Sequence, residues 1–166
     1  MEIGSQLHKS VITASARAEV CEAVSRIYED LQREIDQQRP VCVMSGKCCR
    51  FEEYGHRLYV TTAELAAFTA ARENGALESG TVDKDPRTRE GGCPFQVGRL
   101  CGVHDIRPMG CRVFFCDPAA TEWQREAYER MHRRLKKLHE ELSIPYAYVE
   151  WRLACGVMGW CESEKV

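Results

Sequence analysis

The sequence predicts a mainly α-helical protein that folds as a single domain over residues 1–166. We expect two long amphipathic helices packed around a cysteine-rich centre, with small irregular or β segments. Apolar residues recur at spacings of three and four over two long stretches, and seven of the ten cysteines fall in two short segments. A chain of 166 residues can bury a core without cross-links, so stability alone does not explain the cysteines.

The first long helix is expected over residues 10–38, which contain neither Gly nor Pro. Its apolar face consists of Val20, Val24, Ile27, Leu31 and Ile35. We expect the helix to end at Arg39, because the residue before a proline is pushed out of the helical region.

The second long helix is expected over residues 121–142. Its apolar face consists of Trp123, Ala127, Met131, Leu135, Leu138 and Leu142. Glutamates balance the basic run in its second half, which indicates a solvated helix face rather than a contact with nucleic acid.

Shorter elements are predicted between and after these helices. Thr61 and Glu64 have the spacing of a capping box, so a helix should begin there and end near Gly75. Residues 58–60 favour a short strand, and residues 75–92 are polar and favour an exposed loop. Residues 146–153 fit either a strand or a last helical turn.

Composition limits the possible partners and compartments. The chain is 44% hydrophobic and 29% charged with a net charge of −2, which is ordinary and indicates no nucleic-acid or membrane partner. The first residues lack the basic start and apolar run of a signal peptide, so a cytoplasmic location is expected. Thiols are kept reduced there, which favours metal ligands over disulfides.

The cysteines of the two short segments are the candidate metal ligands. They are Cys42, Cys48, Cys49, Cys93, Cys101, Cys111 and Cys116, and they delimit a metal-binding core over residues 42–116. Thiolates are soft ligands that select zinc, iron–sulfur clusters or copper(I), and four of them complete a tetrahedral shell. No Cys-x2-Cys pair occurs, which argues against an ordinary zinc finger.

The number of metal sites stays open at this point. One four-ligand site could draw on both segments, which we favour, or Cys155 or Cys161 could join the seven to complete two sites. Which four thiols bind is not fixed by their spacing. Cys21 lies beside the apolar face of the first helix, and we expect it to be a small buried hydrophobe.

Basic residues beside the candidate ligands can offset the negative charge of a thiolate site. Four thiolates around a divalent ion leave a net charge of about −2, which nearby cations offset. Arg107 and Arg112 flank Cys111 and are expected to act in this way. His104 follows Cys101 by three residues, and we expect it beside the site rather than as a ligand.

These residues form a recognisable pattern. Cys42…Gly46-Lys47-Cys48-Cys49, Cys93-Pro94-Phe95…Cys101 and Arg107-Pro108-x2-Cys111-Arg112…Phe115-Cys116 together resemble the YkgJ family of cysteine-cluster proteins. The resemblance covers residues 42–116 and implies a zinc- or iron-chelating domain whose metal or iron–sulfur site is built from these cysteines. Flagellin lysine N-methylases are more distant relatives with a similar pattern, which implies an enzyme as an alternative.

Three functions are therefore considered. The first is a protein that binds zinc or iron, as an ion or an iron–sulfur cluster, with a redox, metal-handling or accessory role and a protein partner. The second is a metal-dependent enzyme such as a protein lysine N-methylase, although the chain has no glycine-rich nucleotide loop and no assignable catalytic residue. The third is an interaction protein without metal that uses the helix over residues 121–142.

Overall fold

The computed structural model describes residues 2–75 and 91–161, and all structural statements concern these ranges. The helices are α1 (Glu2–Ser15), α2 (Ala18–Gln38), α3 (Phe51–Tyr54), α4 (Thr62–Glu73), α5 (Met109–Val113), α6 (Thr121–Glu141) and α7 (Trp151–Val157). The strands are β1 (Tyr59–Thr61), β2 (Gln96–Val97), β3 (Leu100–Cys101) and β4 (Tyr148–Glu150). The mainly helical class is thus confirmed. The predicted loop over residues 75–92 lies mostly outside the described residues.

The first predicted helix is in fact two helices. The chain turns between α1 and α2, where Arg17 is extended and its backbone N–H bonds to the carbonyl of Ala14 at 3.1 Å. No Gly or Pro marks this break. Its physical reason is packing, because Leu7 and Val11 of α1 belong to a different core cluster from the buried face of α2. The end of α2 at Gln38 agrees with the prediction, although Arg39 adopts a left-handed conformation.

Two apolar clusters fill the interior. One lies among α2, α4, α5 and α6, and it takes in the predicted apolar faces of both long helices. The other lies at the cysteine side of the molecule and contains four large rings in mutual contact, Phe68, Phe95, Trp151 and Trp160. The scaffold therefore presents one helical core and one aromatic core, and the cysteines border the aromatic one.

Two short antiparallel ribbons hold the loops in place. Strand β1 pairs with β4, with Val60 opposite Val149, and β2 pairs with β3, with Gln96 opposite Cys101. The region predicted as strand or helix near the end of the chain contains both, because β4 runs directly into α7. The β1–β4 ribbon joins chain segments about ninety residues apart and ties α4 to α7.

Glu64 links two helices through one buried carboxylate. The predicted capping box is present, since Glu64 accepts the backbone N–H of Thr61 at 2.9 Å and Thr61 accepts that of Glu64. The other oxygen of Glu64 accepts the N–H of Met109, the first residue of α5, at 3.0 Å. The hydroxyls of Thr61 and of Tyr28 in α2 also donate to this carboxylate, at 3.0 and 3.2 Å. One side chain therefore fixes the starts of both α4 and α5.

None of the helices in the described ranges is both long and apolar enough to cross a membrane.

Candidate metal centre

Five of the seven candidate ligands come together beside the aromatic core. We call Cys48, Cys49, Cys93, Cys101 and Cys111 the inner thiols. Cys49 and Cys93 are buried, with 5% and 4% of their surface exposed, and the backbone N–H of Cys93 donates to the carbonyl of Cys49 at 2.7 Å. This bond joins the two cysteine segments, which are far apart in sequence, at the level of the backbone.

A turn at Gly46 makes this junction possible. Gly46 has a φ of 73°, and its carbonyl accepts bonds from the N–H of Cys49 at 3.2 Å and from the side chain of Gln96 at 3.2 Å. A Cβ atom at this position would lie 2.7 Å from Gln96 Nε2 and 3.0 Å from the carbonyl oxygen of Arg99. Only glycine fits both the conformation and the space, so the β2–β3 hairpin can approach the first segment.

Cys49 lies at the middle of the inner thiols. Its Sγ is within hydrogen-bond reach of the sulfur atoms of Cys101, Cys48 and Cys93. Contact with Cys49 lowers the pKa of Cys48 to about 6 and that of Cys101 to about 7, and the positive charge of Arg107 lowers both further. The same contacts raise the pKa of Cys49, which keeps its proton. The protein thus prepares thiolates at neutral pH, the form that binds metals.

Cys111 stands at the edge of this group. Burial raises the pKa of its thiol well above the usual value, and the negative charges of Cys93, Cys101 and Cys48 raise it further. It is placed by α5, whose first N–H is held by Glu64. Cys111 is therefore close enough to Cys48, Cys93 and Cys101 to feel their charge.

Two basic or N–H groups face the sulfur atoms. The indole N–H of Trp151 donates to the Sγ of Cys93 at 3.3 Å. The positive charge of Arg107 lowers the pKa of Cys48 and Cys101 and opposes the rise in that of Cys111. The Nε of Arg107 is buried without a hydrogen-bond partner among the described residues. Such donors stabilise negatively charged sulfur. A buried guanidinium nitrogen with no partner is costly unless an anionic centre lies beside it.

Arg112 and His104 occupy different positions. The guanidinium of Arg112 lies over the Tyr28 ring at 4.4 Å and donates to the carbonyls of Arg107 and Asp105 at 2.7 and 2.6 Å. It therefore supports the backbone on either side of Arg107. His104 is exposed, and its Nδ1 lies 3.4 Å from a carboxylate oxygen of Asp105. Their predicted places beside the ligands stay predictions.

The other two candidate ligands, Cys42 and Cys116, are exposed, and we call them the outer thiols. The Sγ of Cys116 lies 3.6 Å from the hydroxyl of Ser45, and the neighbouring Asp117 accepts the backbone N–H of Val41 at 3.0 Å. These contacts hold the stretch around Cys42 beside the end of the second segment. The ligand role predicted for the outer thiols stays a prediction.

The remaining cysteines have other surroundings. Cys21 is half-buried, with its Sγ 3.8 Å from the carbonyl of Ser15 at the α1–α2 turn. Cys155 is fully buried in α7, and burial raises the pKa of its thiol well above the usual value. Cys161 is half-buried near the aromatic core.

The chemistry of the described residues suits a metal, but their side chains are not arranged around a common point. No group of three or more His, Cys, Asp or Glu side chains within residues 2–75 and 91–161 stands in an arrangement that could hold a metal ion. The donor chemistry nevertheless suits zinc or iron, with adjoining thiols, an indole N–H on one sulfur and an arginine whose positive charge acts on three of the thiols.

A helical protein with five adjoining thiols and an arginine whose Nε is buried near them is, as a class, a cysteine-cluster protein. The chain belongs to the family with the signature CxxCxxCC that is described as "Putative zinc- or iron-chelating domain", whose model matches residues 41–132, more than half of the chain. The resemblance drawn from the sequence is thus confirmed. Searches of curated proteins and of solved structures found no match.

The family signature also shows a departure in this chain. Residues 42–49 read CVMSGKCC, so Ser45 stands where the signature has its second cysteine. Ser45 was not singled out from the sequence because only the signature marks its position. Trp151 and Glu64 were also missed as contributors to this region, since their contacts with Cys93 and Met109 join distant parts of the chain.

Proposed function

We propose that the chain binds one zinc or iron centre through the thiolates of Cys48, Cys49, Cys93 and Cys101. The observation that carries this choice is the position of Cys49, whose sulfur reaches the other three. Four thiolates complete a tetrahedral shell, and these ligands suit zinc and iron–sulfur chemistry alike. On binding, Cys49 gives up its proton and the four side chains turn towards a common point.

Arg107 and Trp151 supply the charge balance of this centre. The metal and four thiolates carry net negative charge, which the guanidinium of Arg107 offsets. The indole N–H of Trp151 remains on the sulfur of Cys93. Both groups raise the affinity for the metal without contacting it.

We further propose a metal-handling role in which the outer thiols meet incoming metal first. Cys42 and Cys116 are exposed, whereas the inner thiols are buried or half-buried. Each outer thiol is also close in sequence to an inner one, with five residues between Cys42 and Cys48 and four between Cys111 and Cys116. Thiolate-bound metal can therefore pass inward by exchange of one ligand at a time.

The first experiment is metal analysis and visible spectroscopy of anaerobically purified protein. Colourless protein with stoichiometric zinc, or brown protein with iron and labile sulfide, supports the centre and identifies its metal. Protein that holds neither metal, with all ten thiols open to a thiol reagent, would refute it.

The handling role has its own test. The double variant Cys42→Ser, Cys116→Ser should take up metal several-fold more slowly from a chelator but reach the same final metal content. The control is Cys21→Ser, which changes a thiol away from both groups. Unchanged uptake kinetics in the double variant would reject the handling role and leave the metal centre intact.

A further inference from the structure

A cavity of about 380 Å³ opens beside the inner thiols and shares only Cys48 with the proposed metal shell. Cys48 and Cys111 line its inner end, and both are at least half-buried. Exposed Arg57 and Arg125 also line it. The volume falls within the range of small-molecule sites in proteins.

The side walls of the cavity are flat. The rings of His56 and Phe114 are stacked at 5.2 Å with an interplanar angle of 15°, and those of Tyr59 and Tyr148 are stacked at 5.1 Å and 24°. The hydroxyl of Tyr128 is hydrogen-bonded to that of Tyr148. Because these rings already stack on one another, and Tyr148 also stacks on His132 at 4.5 Å, an occupant meets mainly ring edges. Ring edges favour the face of a flat aromatic occupant.

The wall that carries Phe114 is fixed by the backbone beside it. Gln124 of α6 accepts the N–H of Phe115 at 2.9 Å and donates to its carbonyl at 3.2 Å. On the opposite side, Gly110 of α5 leaves room for Leu58, because a Cβ atom there would lie 2.3 Å from a methyl carbon of Leu58. The cavity is therefore built by packed elements and is not a gap between loose side chains.

The charges that line the cavity have one sign. Its lining residues, all within the described ranges, include Arg57 and Arg125 but no Asp or Glu. Arg125 is neutralised by ion pairs with Glu122 and Glu129. Arg57 makes no ion pair within the described part of the chain. The planar guanidinium of Arg57 is thus available at the exposed end of the cavity. Its paired N–H groups can donate two parallel hydrogen bonds to a carboxylate.

From this geometry we propose that the cavity binds a small planar aromatic ring bearing one carboxylate. The ring lies between the aromatic walls and the carboxylate pairs with Arg57 at the mouth. This orientation keeps the negative group away from the thiol end. That the ring also lies next to a bound metal rests on the proposed function, whereas the binding itself does not.

The test is ligand-observed NMR on the metal-loaded full chain, with benzoate as the probe. We expect saturation transfer from the protein to the ring protons of benzoate. Benzamide, which lacks the charge, and cyclohexanecarboxylate, which lacks the flat ring, should each bind about tenfold more weakly. Absence of transfer to benzoate at millimolar concentration overturns the proposal, as does equal affinity for all three compounds. Tighter binding of phenyl phosphate than of benzoate overturns the carboxylate assignment.

Variants locate the site. Arg57→Gln should weaken benzoate binding about tenfold and leave benzamide binding unchanged, because only the charge pair is removed. The matched control is Arg26→Gln, which changes an exposed arginine of α2 outside the cavity lining. An equal loss of affinity in both variants would indicate a non-specific charge effect and overturn the assignment to this cavity.

Metal content measured on the same samples separates the two proposals. Benzoate bound by a chain that takes up neither zinc nor iron would refute the metal centre and support the cavity. A chain with full metal content that does not bind benzoate would refute the cavity and leave the centre standing.

Discussion

The inner and outer thiols are close in sequence but lie in different environments. The inner thiols adjoin one another, lie beside the aromatic core and are faced by Arg107 and Trp151. The outer thiols, Cys42 and Cys116, are exposed, and the Sγ of Cys116 contacts the hydroxyl of Ser45. Cysteines only a few residues apart can therefore differ in how readily their thiols ionise. Desolvation and neighbouring charge make the difference.

The largest expected effect comes from Cys49→Ser. This change removes the sulfur that contacts three others, so the purified protein should lose nearly all of its metal. The free energy of unfolding should fall by about 4 kcal/mol, the upper end for a single substitution, because metal binding and folding are linked. Metal analysis and urea unfolding measure both. Cys21→Ser is the control and should keep its metal. Full metal content in Cys49→Ser would show that the central ligand has been misassigned.

Arg107→Gln is expected to have the next largest effect. Without the guanidinium the net negative charge of the centre is less well balanced, so the affinity for zinc should fall about 10- to 100-fold. Competition with a coloured chelator gives this affinity. Arg99→Gln changes an exposed arginine in the turn between β2 and β3 and should leave the affinity unchanged. If both variants bind zinc equally well, the inner thiols do not depend on Arg107.

The scaffold should show a pH dependence of its own through His139. Its Nε2 accepts the N–H of Ala63 at 3.3 Å, so Nδ1 carries the proton and donates to the carbonyl of Ile144 at 3.2 Å. Burial lowers the pKa of this histidine below 6.5, so acid protonates it more readily in the unfolded chain. Stability should therefore decline as the pH falls below 6.5, with a slope of up to about 1.4 kcal/mol per pH unit.

Urea unfolding of the metal-free protein between pH 8 and 5 measures this decline without interference from metal release. His139→Gln keeps a hydrogen-bonding group but does not titrate, so its curve should be flatter below pH 6.5. Parallel curves for the two proteins would place the acid sensitivity elsewhere. This measurement separates loss of metal at the inner thiols from acid unfolding of the scaffold.

The smallest effect is expected from Ser45→Cys, which restores the family signature. It places a thiol next to Cys116, whose Sγ now lies 3.6 Å from the hydroxyl of Ser45. We expect one additional, weakly held zinc ion per chain, which Cys116→Ser should abolish. The stability without added zinc should change by no more than about 0.5 kcal/mol, as is usual at exposed positions. An unchanged zinc stoichiometry would show that the outer thiols lie too far apart to bind together.

Much of the fold could be predicted because it depends on local pattern. The apolar periodicity of α2 and α6 and the capping box of α4 are encoded within single stretches. The break between α1 and α2 could not be predicted in this way. The break occurs because Val11 and Val20 pack in different apolar clusters. No residue type near Arg17 indicates this in the sequence.

The candidate site was predictable in its chemistry and not in its arrangement. Density and clustering of cysteines indicated metal ligands, and the family match agrees. The separation of Cys42 from Cys48 depends on the turn at Gly46, whose partner Gln96 lies fifty residues away. The contact of Trp151 with Cys93 spans a similar distance in sequence. Contacts between residues so far apart produce no repeating pattern that a single sequence could reveal.

The shared carboxylate of Glu64 has a consequence for how the molecule opens. The amides of Thr61 and Met109 donate to the same buried side chain, one at the start of α4 and one at the start of α5. Local opening that turns the Glu64 side chain away breaks both bonds at once, so the two amides should exchange with deuterium at matched rates. Glu64 therefore holds α5, which carries Cys111, against the helical core. α5 can move away from the other inner thiols only when the hydrogen bond between Met109 and Glu64 is broken.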